Sequence, residues 1–354
     1  MFVYVGTYTE PPSGRAEGIY VLRFDTGSGS LTPVRTVTGV PNPSFLALGA
    51  DRQHLYAVNE LTEGGVSAFA RDPRTGELRA LNRQLSHGAD PCYVGLDTSG
   101  RFVLVANYSG GTVSALPIAA GGTLDPASSV IRHEGSSVDP TRQTRPHAHM
   151  IGSTPDGRYV LATDLGADRI VVYQLDTATG RLVPNASGPP FAAAEPGAGP
   201  RHFAFAPNGR TVYVINELAS TLTVYAYDGE RGELRSRQTV SSLPVGFAGE
   251  NSCAHVVVSP DGRFVYGSNR GHDSIAIWAT DETSGEVTPA GHESTRGKTP
   301  RGFALDPTGA WLLAANQDSD TIVTFRRDPG SGNLTATGQV TEIPSPVAVL
   351  FAQD

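Results

Sequence analysis

The 354-residue sequence has very few cysteines and no long apolar run. Its two cysteines, Cys92 and Cys253, lie far apart, so they form neither a disulfide framework nor a CxxC metal signature. No apolar stretch reaches the length of a transmembrane helix. The opening residues MFVYVGTYTE lack the basic region and apolar core of a signal peptide and instead resemble a strand. We therefore expect a cytoplasmic protein whose cysteines pack as small apolar groups rather than act as nucleophiles.

The motifs of several common enzyme classes are also missing. The sequence shows no evident GxSxG, GxxxxGK[ST] or helix-opening GxGxxG string, so a hydrolase elbow or a nucleotide site lacks support. The net charge of −8 argues against nucleic acid or an anionic membrane surface as a partner. A hydrophobic content of 39% is sufficient for a globular core, and 41 glycines and 26 prolines indicate many tight turns.

Two turn signatures recur along the whole chain. The first, a Gly followed by Leu or Val with an Asp start in every copy but 118–124, occurs in seven segments: 25–31, 72–78, 118–124, 176–182, 228–234, 281–287 and 328–334. The second, a PDGR-like turn followed by an apolar strand, occurs in six segments: 50–60, 98–108, 155–165, 207–217, 260–270 and 307–317. Both supply the Asp, Asn and Gly that hairpin turns require. One turn of each kind makes a repeat unit, and each unit is therefore predicted to form four antiparallel strands.

The missing seventh PDGR-like turn indicates where the chain termini meet. SPVAVLF (345–351) has the pattern of a first strand, and FVYVGTY (2–8) has that of a second strand. We therefore predict an all-β, seven-bladed β-propeller whose ring is closed by pairing N-terminal strands with the C-terminal strand in one blade. The length alone suggests about two domains, but a closed ring predicts a single domain over residues 1–354. A pair of β-sandwiches would not explain the regular spacing.

Aligning the blades on the second turn predicts which side chains lie together. Six residues before the turn come Ser44, Cys92, His149, Arg201, Ala254 and Arg301. The second strand ends in Asn or Asp, and the next residue is Glu60, Tyr108, Leu165, Glu217, Arg270 or Gln317. The repeated Asn or Asp suits a structural cap of the turn. We expect His149, Arg201, Arg301, Glu60, Glu217 and Arg270 on one face, beneath the loops 131–145, 185–200 and 243–252.

The stretch QTRPHAHMIG (143–152) contains two histidines, His147 and His149, with three possible roles. Being two apart on a predicted strand, they should point to one side. A metal site would need a third ligand, and the nearby arginines would repel a cation. Candidate third ligands are Glu217, His202 and His255. A core position with a backbone-carbonyl partner suits His147 better than His149, for which we favour acid–base chemistry.

The basic residues predicted on this face would create a local positive field in an acidic protein, which suits a small anion. They are Arg145, His147, His149, Arg201, His202, Arg270 and Arg301. Arg201 and Arg270 could instead form a salt bridge with Glu217, and Glu217 could be only a counter-ion. Arg201 shares strand parity with Phe203 and Phe205, so its direction stays open.

Several segments together resemble a known family, the seven-bladed propeller lactonases, which include 6-phosphogluconolactonase and the fungal 3-carboxy-cis,cis-muconate lactonizing enzyme. They are YVGTYT, RPHAHM, GPRHFAF, YVINEL and SNRGHDSIA. The resemblance implies a catalytic set of His149, Arg201, Arg270 and Glu217, carried over from the lactonizing branch, and no metal or organic cofactor.

The resemblance implies hydrolysis of 6-phospho-D-glucono-1,5-lactone in the pentose phosphate pathway, or of a related sugar lactone. His147, His202 and Arg301 are expected as further substrate contacts. Lactonization of a muconate is the alternative, and a protein-binding propeller without activity is a third hypothesis. We expect a small anionic lactone as partner, and a monomer or weak homo-oligomer.

Overall fold

The computed structural model describes residues 1–353, so Asp354, the last residue of the expected domain, lies outside it. The described residues form seven sheets of consecutive antiparallel strands, which we number as blades 1 to 7. Blade 1 contains β4 (Leu46–Leu48), β5 (His54–Asn59), β6 (Gly65–Arg71) and β7 (Leu78–Leu85). Blade 2 contains β8 (Pro91–Leu96), β9 (Phe102–Asn107), β10 (Thr112–Pro117) and β11 (Ser129–Arg132). Blade 3 contains β12 (Ala148–Ser153), β13 (Val160–Asp164), β14 (Arg169–Asp176), β15 (Arg181–Pro184) and the short β16 (Phe191–Ala193).

The remaining blades follow the same order. Blade 4 contains β17 (Pro200–Phe205), β18 (Thr211–Asn216), β19 (Thr221–Asp228) and β20 (Glu233–Ser241). Blade 5 contains β21 (Ser252–Val258), β22 (Phe264–Arg270), β23 (Ser274–Thr280) and β24 (Val287–Ser294). Blade 6 contains β25 (Pro300–Leu305), β26 (Trp311–Asn316), a 3-10 turn (Gln317–Ser319), β27 (Thr321–Arg327) and β28 (Leu334–Glu342). Blade 7 contains β29 (Pro346–Ala352), β1 (Phe2–Thr7), β2 (Gly18–Phe24) and β3 (Leu31–Thr38).

Blade 7 joins the two ends of the chain as the repeat count predicts. β29 pairs antiparallel with β1, with Phe2 opposite Ala352 and Val5 opposite Val349. The C-terminal strand is therefore the innermost strand of this blade, and the N-terminal strand is the second. Because one blade takes its strands from both ends of the chain, the prediction of a seven-bladed ring closed in this way is confirmed.

The core lies between the blades rather than in one central mass. Seven buried hydrophobic clusters each combine residues of two neighbouring blades. The second strand of a blade is almost wholly buried, as in β9, whereas the fourth is largely exposed, as in β3. Burial therefore decreases outward along each sheet, and each blade is stabilised mainly by its two neighbours.

Hydrogen bonds across the blade interfaces repeat with the sequence. The hydroxyl of Tyr213 donates to the carbonyl of Gly285 in the next blade at 2.9 Å. Tyr266 and Gly332 make the same contact at 2.8 Å. Gly332 has a φ of 74° and lies against the ring of Phe264, where a Cβ would approach to 2.3 Å. The glycine of the first turn signature is thus required by backbone conformation and by packing.

Candidate active site

Bulges in the innermost strands present the repeat-breaking side chains. In β12 the pairing with β13 shifts between Ala148 and Met150, so that His149 is the extra, unpaired residue. The equivalent extra residues in β8, β17 and β25 are Cys92, Arg201 and Arg301. A bulge re-aims a side chain and interrupts the alternation of the strand. Because of the bulge, Arg201 need not point to the same side of the strand as Phe203 and Phe205.

The repeated Asn or Asp at the end of each second strand has the structural role expected of it. Asn107 donates to the carbonyl of Ser86 at 3.2 Å, and Asn316 donates to that of Thr295 at 3.0 Å. In blade 3, Asp164 accepts the backbone N–H of His147 at 2.8 Å. These bonds tie the second strand to the chain entering from the preceding blade, and they leave the next side chain free to point elsewhere.

Five of the six side chains expected on one face line a single cavity of about 340 Å³. The five are Glu60, His149, Glu217, Arg270 and Arg301, and the remaining lining residues are Tyr8, Cys92, Tyr108, Arg142 and Ser252. An outer cleft of about 860 Å³ shares Arg142, Ser252 and Arg270 with it. The cavity is therefore placed beside a larger opening formed partly by the loops 131–145 and 243–252.

Glu217 is the centre of a buried ion network. Its Oε1 accepts from Arg142 at 2.7 Å, and its Oε2 accepts from Arg201 at 2.8 Å and lies 2.9 Å from Arg270. Burial alone would raise the pKa of Glu217, but the charges of Arg270 and Arg201 hold it well below its usual range. Glu217 is therefore an ionised anchor for three guanidinium groups, and both of its oxygens are occupied.

Arg201 lies behind Glu217 rather than in the cavity wall. Its Nε bonds Glu217, another guanidinium nitrogen donates to the carbonyl of Ala254, and the residue is only 2% exposed. Burial and the charges of Arg270 and Arg301 lower its pKa to about 9, so it stays protonated at neutral pH. Arg201 therefore lies beside the other residues expected on this face, but it does not line the cavity, because its Nε and one terminal nitrogen are used inside the protein.

His149 is buried beside Cys92. Its Nδ1 lies 3.5 Å from the sulfur of Cys92, and the thiol lies 3.4 Å from the carbonyl of His149. Burial, followed by the charge of Arg201, lowers the pKa of His149 well below 6.5, and burial raises that of the Cys92 thiol. Within residues 1–353 the other ring nitrogen, Nε2, has no hydrogen-bond partner. A neutral imidazole with a free nitrogen therefore lines the cavity.

His147 does not share the direction expected for it. β12 begins only at Ala148, and the bulge at His149 separates the two rings. The His147 ring stacks on Tyr108 at 4.4 Å, and its Nδ1 lies 3.0 Å from the Tyr108 carbonyl. The alternative of a core histidine with a backbone partner therefore describes His147, which is not among the residues lining the cavity.

His202 belongs to a cluster of rings in the central channel. Its ring lies 5.1 Å from His149 and 5.5 Å from Tyr93 between centroids, and its Nδ1 lies 2.7 Å from that of His255. Like His147, it is not among the residues lining the cavity. Across residues 1–353 no group of three or more His, Cys, Asp or Glu side chains is arranged to hold a metal ion.

Arg301 and Glu60 form a second charged group in the cavity. The Arg301 guanidinium lies 5.4 Å from the ring centroid of Tyr8 and 4.0 Å from Glu60 Oε1. It makes no hydrogen bond to any residue that the structure describes. Of the cavity's arginines it therefore keeps the largest number of donors for a bound anion.

Four cavity residues were not predicted from the sequence, and Arg142 is the most informative of them. It comes from the long loop before β12 and donates to both Glu217 and the Tyr108 hydroxyl. The loop was predicted to cover this face, but Arg145 was expected there, and it is exposed and does not line the cavity. The other three are Tyr108, Tyr8 and Ser252. Tyr108 follows the second strand of its blade, as Glu217 does in blade 4, and this equivalent position could have indicated that it lines the cavity.

Comparisons with known proteins agree with this architecture. A family model described as the seven-bladed β-propeller lactonases matches residues 2–351. A 6-phosphogluconolactonase of Bacillus subtilis is 39% identical over 305 residues, covering 86% of this chain and 84% of that protein. Another 6-phosphogluconolactonase, from Formosa agariphila, is 34% identical over 86% of each chain.

A solved structure extends the similarity to three dimensions. The periplasmic gluconolactonase of Pseudomonas aeruginosa superposes with a TM-score of 0.93 at 38% identity, covering 99% of this chain and 98% of that one. Over residues 1–353 we find no helix with the length and apolarity needed to cross a bilayer. The ring of blades, the one-sided cavity and the matched family model lead to one conclusion: the chain belongs to the seven-bladed β-propeller lactonases.

Proposed function

We propose that this protein hydrolyses 6-phospho-D-glucono-1,5-lactone to 6-phosphogluconate without a cofactor. The observation that carries the proposal is a cavity lined both by His149, whose Nε2 is free, and by guanidinium groups with unused donors, in a protein of net charge −8. The names of the two relatives described above support the same substrate. A local positive field in an acidic protein suits an anionic substrate.

His149 is proposed as the base that activates water. The Cys92 thiol can donate to the His149 carbonyl, so its sulfur can accept from Nδ1–H, which leaves the lone pair on Nε2. A neutral imidazole in reach of water is competent as a general base, a role worth roughly 10²–10⁴ in rate. Arg301 is proposed to stabilise the oxyanion that forms at the lactone carbonyl, since its donors are not used by the protein.

The phosphate is proposed to lie between Arg142 and Arg270. Both arginines line the outer cleft as well as the cavity, and both are held from one side by Glu217. A dianionic group at the cleft side keeps part of its hydration, which lowers its desolvation cost. Arg201 and Glu217 then act by positioning: Arg201 fixes Glu217, and Glu217 fixes the two phosphate-binding arginines.

A second candidate substrate is the unphosphorylated glucono-1,5-lactone. The similarity to the gluconolactonase of P. aeruginosa favours it, at 38% identity over nearly the whole chain. The same His149 and Arg301 would serve this ring, and only the contact with Arg142 and Arg270 would differ. The relative rates on the two lactones therefore test the phosphate site directly.

The test is hydrolysis of freshly generated 6-phosphogluconolactone, coupled to 6-phosphogluconate dehydrogenase and corrected for spontaneous opening. We expect the wild type to accelerate the reaction and His149→Ala to lose most of the acceleration. His87→Asn is the matched control, because His87 is exposed and its φ of 57° is tolerated by Asn. Equal rates in wild type and His149→Ala would contradict the assignment of the base.

The remaining expectations from the sequence stay proposals. They are a cytoplasmic location, a place in the pentose phosphate pathway, a monomer or weak homo-oligomer, and no nucleic-acid or membrane partner. Cell fractionation is the sharpest check, since the P. aeruginosa neighbour is described as periplasmic.

A further inference from the structure

Glu60 is a second carboxylate in the cavity, and the roles considered so far do not use it. It follows the last residue of β5 in blade 1, the position that Glu217 occupies after β18 in blade 4. Both side chains line the same cavity as His149. The repeat therefore presents two equivalent glutamates to one substrate, and their surroundings decide whether they do the same work.

The two carboxylates have different partners. Three arginines form ion pairs with the oxygens of Glu217 at 2.7–2.9 Å. Glu60 instead accepts the hydroxyl of Tyr8 on Oε1 at 2.9 Å, and the hydroxyl of Ser44 contacts its Oε2. Its nearest guanidinium, that of Arg301, is 4.0 Å away. Glu217 is thus locked among cations, whereas Glu60 is held by neutral hydroxyl groups.

The ionisation of the two groups differs in the same sense. Burial raises the pKa of Glu60, and Arg301 with the Ser44 and Tyr8 hydroxyls offsets only part of that effect. Asp90 acts in the same direction as burial, and the Tyr8 phenol and the Cys92 thiol are further titratable groups that interact with Glu60. The pKa of Glu217 moves in the opposite direction. Two titratable groups whose pKa values are shifted in opposite directions commonly serve as the acid and the base of one reaction.

Opening a lactone by water requires two proton transfers. Water must lose a proton as its oxygen bonds the carbonyl carbon, and the ring oxygen must gain a proton as its bond to that carbon breaks. His149 is proposed for the first transfer, which leaves the second without a donor. Glu217 cannot supply it, because the guanidinium groups paired with its two oxygens keep its carboxylate ionised.

We propose that Glu60 is the catalytic acid that protonates the departing ring oxygen, with Tyr8 and Ser44 holding its carboxyl in place. This proposal rests on the lactonase function proposed above. His149 takes one proton from water, Glu60 gives one to the ring oxygen, and the proton on His149 returns to Glu60 by way of solvent. The new carboxylic acid then releases its own proton, so the enzyme is unchanged after one turnover.

The test compares Glu60→Gln with the control Glu63→Gln, which changes an exposed glutamate three residues away. The substrates are 6-phosphogluconolactone and glucono-1,5-lactone, each corrected for spontaneous opening at every pH. We expect kcat of Glu60→Gln to fall by roughly 10²-fold, as for the loss of a general acid. KM should change little, because Gln keeps the size of the side chain and its hydrogen-bonding partners.

The pH profile separates an acid from a counter-ion. An acid must be protonated, so wild-type kcat should fall as the pH rises through the pKa of Glu60, and Glu60→Gln should lack that alkaline limb. Tyr8→Phe provides an independent variant, because loss of a hydroxyl that stabilises the ionised form raises the pKa of Glu60. The alkaline limb of Tyr8→Phe should therefore move to higher pH.

Each contrary result has a distinct meaning. If the wild type accelerates neither lactone, both the proposed function and the role of Glu60 are overturned. If the wild type is active and Glu60→Gln raises KM while keeping kcat and the alkaline limb, Glu60 is only a counter-ion of Arg301. If Glu60→Gln does not fold, an unmoved alkaline limb in Tyr8→Phe overturns the proposal.

Discussion

Replacing Glu217 with Gln removes the one negative charge that three arginines share. The substitution preserves size, so its effect measures charge rather than packing. Glu217 is 5% exposed and Arg201 is 2% exposed, which places this pair in the buried class. Removing one partner of a buried ion pair typically costs about 3–5 kcal/mol, because the other charge is left uncompensated.

For Glu217→Gln we expect a cost at the lower end of this range of destabilisation. Arg142 and Arg270 can turn toward the outer cleft and regain water, whereas Arg201 cannot move without losing the carbonyl of Ala254. We therefore expect Glu217→Gln to lower the free energy of unfolding by about 3 kcal/mol, or roughly 10²-fold in the unfolding equilibrium.

The loss of unfolding free energy in Glu217→Gln should depend on pH. The folded-state pKa of Glu217 lies below its usual value of 4.5. Its charge therefore contributes stability that is fully present above about pH 4.5 and is lost as the pH falls toward the folded-state pKa. The stability difference between wild type and Glu217→Gln should be widest at neutral pH and should narrow in acid.

The assay is urea unfolding at pH 7 and at several lower pH values, with Glu250→Gln as the control on an exposed residue beside the same cleft. Added sulfate should stabilise Glu217→Gln more than the wild type, because an anion can replace the missing carboxylate. Equal unfolding midpoints and slopes for Glu217→Gln and the control would refute the view of Glu217 as the anchor of a buried network.

Four further predictions follow from the same geometry. Arg301→Gln should lower kcat by about 10²–10³-fold on either lactone, as expected for loss of an oxyanion donor, and steady-state kinetics checks this. Arg142→Gln should raise KM for the phosphorylated lactone while leaving kcat/KM for glucono-1,5-lactone nearly unchanged. Cys92→Ala should lower kcat with little change in KM, because only the orientation of His149 is affected. Tyr213→Phe should cost about 1 kcal/mol in urea unfolding through loss of the blade-to-blade bond to Gly285, with kcat unchanged.

The fold could be predicted because its signals are local and repeated. Each turn signature requires only a few adjacent residues with the right backbone preferences, and its spacing counts the blades. The mismatch between six and seven turns located the closing blade, and β29 pairs with β1 as expected. Repetition also identified the residues that break the pattern, among them His149, Glu60 and Arg301.

The partners of these residues could not be predicted in the same way. Alternation along a strand fails at a bulge, so the directions of His147 and Arg201 depend on the register shifts beside them. The contact between Cys92 and His149 joins residues 57 positions apart, and that between Arg142 and Glu217 joins residues 75 apart. Contacts of this range arise only when neighbouring blades pack together.

The sequence alone determined the ring, its closure and the face on which the charged residues gather, because short turns and strand lengths encode them. Only the tertiary structure decided which charge each residue meets. It buried Arg201 behind Glu217, brought Arg142 in from a loop, and surrounded Glu60 with hydroxyl groups. The physical reason is that burial and pairing set the ionisation of a side chain, and both depend on residues that are distant in the chain.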